Sequence, residues 1–243
     1  MCTVTYVPSG NKIFLTASRD EQRERPAARI PDIYRVHGMN LLFPRDEPLG
    51  GTWFAINEKG TAVVLLNGAL EKHISVPPYR KSRGLILLDL TASISPVTTF
   101  DEADLEQIEP FTIIVTEEGN LWVCRWDGSF KTMNKGNAKI PHIWSSVTLY
   151  DPVAMELRKK WFAEWLKLNP KPSGEAILRF HRDAGDGNPH HDLLMNRDDK
   201  LFTQSISTAC ISANNAGFQY LDLRTAATSC SFINFLKVIP VNG

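Results

Sequence analysis

A chain of 243 residues, 43% of them hydrophobic, is long enough to bury a substantial core as one large domain. Lysine plus arginine equals aspartate plus glutamate at 27 each, so the formal net charge is zero and no global field draws a polyanion. There is no Lys/Arg-rich run, and the apolar stretches, such as 85–88 and 112–115, are far too short to span a bilayer, so neither a nucleic-acid partner nor an integral membrane segment is expected.

In chain order, the first predicted element is a hairpin. The alternating run Cys2-Thr3-Val4-Thr5-Tyr6-Val7 reaches the turn Pro8-Ser9-Gly10-Asn11 and resumes as Lys12-Ile13-Phe14-Leu15-Thr16-Ala17. Its second strand runs directly into Ser18-Arg19-Asp20-Glu21. Antiparallel pairing sets the start of the first strand beside the end of the second, so Cys2, Arg19 and Asp20 are expected at one end of a sheet. Residues 54–57 and 61–66 flank Glu58-Lys59-Gly60 as a second strand pair. A helix is predicted over 83–92, apolar on most sides, and another over 101–108. Residues 111–116 and 121–126 form a third pair, and 205–212 with 218–223 a fourth.

The clearest helix starts at Asp151-Pro152, a capping residue followed by proline at the first helical position, and ends before Pro170. Its apolar face is predicted to carry Ala154, Leu157, Trp161, Trp165 and Leu168, with Arg158, Lys159 and Glu164 elsewhere, and the aromatic stripe reads as core. Beyond it, His181, His190, His191 and Asp192 lie in or beside a Gly/Asp/Asn/Pro-rich segment, 183–189, that reads as a solvated loop near a site entrance. Their spacing matches no metal-ligand pattern, so neither a metal nor any other cofactor is expected. Four strand pairs imply two antiparallel sheets, and helices outside them give an α+β, four-layer αββα sandwich. It is expected as a single domain over 1–243, helix-rich at about 151–200.

Cysteines stand at 2, 124, 210 and 230, with no Cys-x-x-Cys pair to indicate a zinc or redox motif. No charged segment followed by an apolar one opens the chain, which favours the cytoplasm and reduced thiols. Cys124 and Cys210 read as small buried strand residues. Cys2 is different. Once the initiator methionine is removed, it carries a thiol and a free α-amine on one residue, so nucleophile and base coincide. Arg19 beside the thiol would lower its pKa, and Asp20 would orient the amine.

Met1-Cys2, Arg19-Asp20-Glu21, Arg25-Pro26, Gly50-Gly51-Thr52-Trp53, Asn67 and Ser82-Arg83-Gly84 occur in an order and approximate spacing that resembles the NRDE family, which includes the transport and Golgi organisation type 2 proteins. The resemblance is dense over roughly the first 90 residues and weaker at 144–151 and 203–208. That family looks related to the cysteine branch of the N-terminal-nucleophile (Ntn) hydrolases, and the resemblance implies the same αββα fold. It also implies hydrolysis of a non-peptide amide or related acyl bond in a small-molecule substrate, with catalytic roles for Cys2, Arg19, Asp20 and Asn67, the last as an oxyanion donor. The chain departs from the pattern where an Asn would be expected at Ser18 and at Ser145-Ser146, and an Arg at Gln204-Ser205. Those departures motivate an alternative, a non-catalytic carrier or trafficking factor holding an apolar small molecule in the acyl pocket.

Overall fold

Residues 3–236 are described by the computed structural model of the protein, and Cys2 lies outside them. Among the described residues, β1 (Thr3–Ser9) and β2 (Lys12–Gln22) are followed by β3 (Arg29–Val36), β4 (Met39–Arg45), β5 (Phe54–Asn57) and β6 (Ala62–Asn67). Helices α1 (Arg83–Thr91) and α2 (Pro96–Glu102) then precede β7 (Phe111–Glu117), β8 (Asn120–Trp126), β9 (Lys131–Gly136) and β10 (His142–Ser145). Helices α3 (Pro152–Leu168) and α4 (Gly174–Asp183) lead to β11 (Asn196–Arg197), β12 (Leu201–Ile211), β13 (Asn215–Asp222) and β14 (Ala227–Asn234). One antiparallel sheet has the order β10-β1-β2-β12-β13-β14, with β11 on β12, and the other runs β3 to β9 in sequence.

The two-residue alternation of side chains builds the layers. Val4, Tyr6, Leu15 and Ala17 of the first sheet meet Leu42, Phe54, Ile56 and Val64 of the second in the central core. On the far face of the second sheet, Val63, Leu65 and Ile113 pack against Leu87, Leu90 and Phe100 of α1 and α2. On the far face of the first, Val7 and Phe14 pack against Phe162, Ile177 and Phe180 of α3 and α4. The protein is therefore a four-layer αββα sandwich, as its hairpins imply.

The structure corrects the local reading in several places. The helix expected at 101–108 is α2, which starts earlier because Ser95 caps it by accepting from Thr98 N and Pro96 takes the first helical position. The hairpin β3–β4 was hidden: its turn is His37-Gly38, both with positive φ, and Pro31 sits on an edge strand with a register shift. In α3 the inward face is Ala154, Arg158 and Phe162. Leu168 is 82% exposed, and Trp161 and Trp165 sit half-buried at the margin. Arg158, expected on the polar side, is fully buried.

His181 is likewise not a loop residue but part of α4, whose N-cap Ser173 and inward-facing Ile177, Phe180 and His181 follow helical spacing. Fully buried, it joins the first two strands, with Nε2 against Thr5 Oγ1 at 2.8 Å and Nδ1 against Ser18 Oγ at 2.9 Å. Burial first, and the Arg158 charge second, push its pKa from 6.5 down to about 3. The unfolded chain thus takes up a proton near pH 6.5 that the folded protein refuses until about pH 3. This contribution to stability is complete above pH 6.5 and is lost progressively as pH falls towards 3, at roughly 1.4 kcal/mol per unit. Urea unfolding from pH 7 to pH 4 should accordingly show a shallower acid loss in His181→Gln than in the wild type. Identical slopes would mean that His181 is protonated in the folded state.

Candidate active site

Strand β2 sends adjacent side chains to opposite faces, so Arg19 and Asp20 do different jobs. Arg19 points between the sheets, is 4% exposed, and lies with its guanidinium carbon 4.7 Å from the Trp53 ring centroid. Its Nη1 donates to Gln204 Oε1 at 2.7 Å, and its Nη2 to Asp46 Oδ1 at 3.1 Å. Asp46 also takes Arg25, whose Nη2 donates to Oδ2 at 2.6 Å and Nε to Oδ1 at 3.2 Å. One carboxylate thereby clamps two guanidiniums, which ties the Arg25-Pro26 segment to Arg19. Burial pulls the Arg19 pKa below its ordinary value, while Glu21 and Asp46 oppose that fall. For Arg25, the hydrogen bond to Asp46 raises it.

Asp20 points to the helical side and is almost completely buried. Its Oδ1 accepts from Thr203 Oγ1 at 2.6 Å, and its Oδ2 accepts from the Tyr150 hydroxyl. Ser18, one of the departures, is held by His181. The register places Thr3 opposite both Ser18 and Ser145, so β1 begins at the end of the sheet that carries Arg19 and Asp20.

Arg19 opens onto a cavity of about 500 Å³ whose wall includes Trp53, Asn67, Tyr79, Lys81 and Arg83. Asn67 closes β6; its carbonyl accepts from Ser146 Oγ at 2.8 Å, and among the described residues its side-chain amide has no hydrogen-bond partner. Two segments singled out in the sequence meet at the same rim. Thr52 N donates to Gly84 O at 3.3 Å, and a Cβ on Gly51 would stand 2.7 Å from the Gly84 carbonyl carbon. Only glycine permits that backbone contact, which fixes the start of α1 against the loop bearing Trp53.

The structure thus brings Arg19 and Asn67 to one cavity, sets Asp20 behind the sheet, and leaves Cys2 outside the described residues. Sequence reasoning missed Asp46 and Tyr150, and read Gln204 only as a departure from the family pattern. Gln204 sits at a register shift between Thr203 and Ser205, where the irregularity re-aims its side chain to accept from Arg19 and donate to Gln22 O at 2.7 Å. No local pattern marks such a bulge. His190 and His191 border a different cavity, of about 610 Å³, beside Tyr150. Among the described residues no group of three or more metal-ligating side chains gathers, and no helix is long and apolar enough to cross a membrane.

The sequence profile of the Transport and Golgi organisation 2 family matches residues 1–217. The chain belongs to that family. No curated protein matches it by sequence. Among solved structures, a Caenorhabditis elegans N-acylethanolamine-hydrolyzing acid amidase ortholog aligns with TM-score 0.58 and 11% identity, over 85% of this chain and 92% of that one. An alanine-for-cysteine mutant of the conjugated bile acid hydrolase from Clostridium perfringens aligns with TM-score 0.58 and 12% identity, over 98% and 97%. A variant of the same enzyme with leucine in place of one arginine gives 0.58 and 12%, over 99% and 100%. This member of the family therefore has the fold of Ntn hydrolases.

Proposed function

We propose that the protein is a cytoplasmic Ntn-type amidohydrolase that cleaves a non-peptide amide or related acyl bond of a small molecule through Cys2. The observation that carries the reading is the convergence on one cavity of a buried guanidinium and an amide that has no hydrogen-bond partner among the described residues, at the sheet end where β1 begins. The solved amidase and hydrolase of like fold support it by analogy. In the proposed reaction the Cys2 thiol passes its proton to its own α-amine and the sulfur adds to the carbonyl carbon. The amine then gives the proton to the leaving nitrogen, the C–N bond breaks, and a thioester forms. Water, deprotonated by the same amine, hydrolyses the thioester and restores the thiol. Arg19 stabilises the thiolate and places the substrate, Asp20 orients the amine, and the Asn67 amide faces the developing oxyanion.

A carrier role is the second reading. It is favoured by Ser146, whose hydroxyl is directed to a backbone carbonyl, and by Gln204-Ser205 in place of an arginine, since both remove donors that the resemblance leads one to expect.

The test begins with the mature N-terminus. Intact mass should show loss of one methionine, because a retained Met1 blocks the amine. Iodoacetamide labelling followed by peptide mapping should then find Cys2 faster than the other thiols at pH 7. Cys124 is buried, which pushes its pKa up to about 12, so it should stay unlabelled. Cys230 is exposed on the edge strand β14 and serves as the reference for an ordinary accessible thiol. Retained Met1, or Cys2 labelling no faster than Cys230, would count against the nucleophile and for the carrier.

A further inference from the structure

The helical side of the first sheet contains a buried charge that the proposed reaction does not use. Arg158 is fully buried, and among the described residues no carboxylate pairs with it. Its Nε donates to the His191 carbonyl at 3.0 Å, Nη2 to the Asp192 carbonyl and Nη1 to Thr3 Oγ1. Its guanidinium carbon lies 3.5 Å from the Tyr150 ring centroid, and that of Arg197 lies 5.3 Å from the same centroid. Burying a guanidinium without a carboxylate is expensive, and an apolar side chain of similar volume would generally give a more stable core. The π face and the two carbonyls recover part of that cost. What the arginine adds is placement. It touches the first residue of β1, the immediate neighbour of Cys2, and the ring whose hydroxyl donates to Asp20.

We infer that Arg158 and Tyr150 are a positioning pair, Arg158 fixing the start of β1 through Thr3 and steadying the Tyr150 ring, and Tyr150 orienting the Asp20 carboxylate. The inference rests on the reading of Cys2 as an N-terminal nucleophile. It also accounts for the His-rich segment, whose backbone carbonyls at 191 and 192 serve the guanidinium while its imidazoles stay out of the site. Around the pair stand His181, held neutral by burial, Arg197 and Asp20.

The experiment compares the full-length wild type with Tyr150→Phe, Arg158→Lys and, as a packing control, Phe162→Leu, which thins the same helix contact without touching Thr3 or Asp20. The readouts are the pH profile of Cys2 alkylation and amide hydrogen exchange at Thr3 and Asp20. Without the Tyr150 hydroxyl, the Asp20 charge is less dispersed and opposes a neighbouring thiolate more strongly. Tyr150→Phe should therefore lower labelling at pH 7 roughly tenfold, the scale of one charge-assisted hydrogen bond, and move the profile to higher pH. Arg158→Lys should act in the same direction, whereas Phe162→Leu should lower the melting temperature and leave the profile in place. A Tyr150→Phe profile that overlays the wild type, or an equal shift in Phe162→Leu, overturns the inference. If wild-type Cys2 shows no pH-dependent reactivity, the nucleophile reading fails and the pair is judged on exchange alone. Faster exchange at Thr3 and Asp20 in Tyr150→Phe and Arg158→Lys but not in Phe162→Leu upholds it, and unchanged exchange rejects it.

Discussion

Replacing Cys2 with alanine should abolish turnover of acyl-amide probes, a loss of at least about a thousandfold, because the covalent step has no other nucleophile in the proposed scheme. Cys2→Ser should fail almost as completely. Its hydroxyl is a far weaker acid than a thiol, and a single α-amine has too little driving force to deprotonate it. Binding of the acyl group should survive both changes, because the cavity wall is built from Trp53, Tyr79, Lys81 and other residues distant from Cys2 in the sequence. Steady-state kinetics with a panel of fatty-acyl and aromatic-acyl amides, combined with calorimetric binding of the corresponding acids, separates the two readings. A carrier turns over none of the probes in the wild type and binds equally well in both variants. Hydrolysis at the wild-type rate by Cys2→Ala would remove Cys2 from the mechanism and direct attention to the cavity beside His190 and His191.

Asp46→Ala should produce the largest stability loss. It leaves Arg19, 4% exposed, and Arg25, with 30% of its side chain exposed, facing each other without the carboxylate they share. Removing one partner of a buried ion pair costs about 3–5 kcal/mol. For a chain of this size that corresponds to a fall in melting temperature of roughly 10 °C. Arg19→Met should behave in the opposite way. Asp46 keeps its 2.6 Å bond to Arg25 and the methionine side chain can cover Trp53, so stability should change by less than about 1.5 kcal/mol while probe hydrolysis falls roughly a hundredfold. Differential scanning calorimetry with kinetics on both variants distinguishes these outcomes. A melting temperature for Asp46→Ala within 2 °C of the wild type, on the order of a single exposed pair, would mean that solvent replaces the clamp.

What the sequence determined by itself was local. Residues 2–17 alternate around Pro8-Ser9-Gly10-Asn11, and Asp151-Pro152 caps a helix; both signals depend only on neighbours within one turn or one pleat, so strand pairs, helix starts and the layer class could be read directly. Where a local signal was weak, as at the His37-Gly38 turn, the element was missed. Only the tertiary structure decided which polar groups would be buried together. Arg158 looks like a solvated helix residue until Thr3, 155 positions away, supplies an acceptor. His181 looks like part of a loop until Thr5 and Ser18 bracket it, and Arg19 finds Gln204 across 185 positions through a bulge that no spacing announces. The reason is energetic: a buried polar group is tolerated only where its hydrogen bonds are met, and its partners come from whichever strands and helices the apolar core brings side by side.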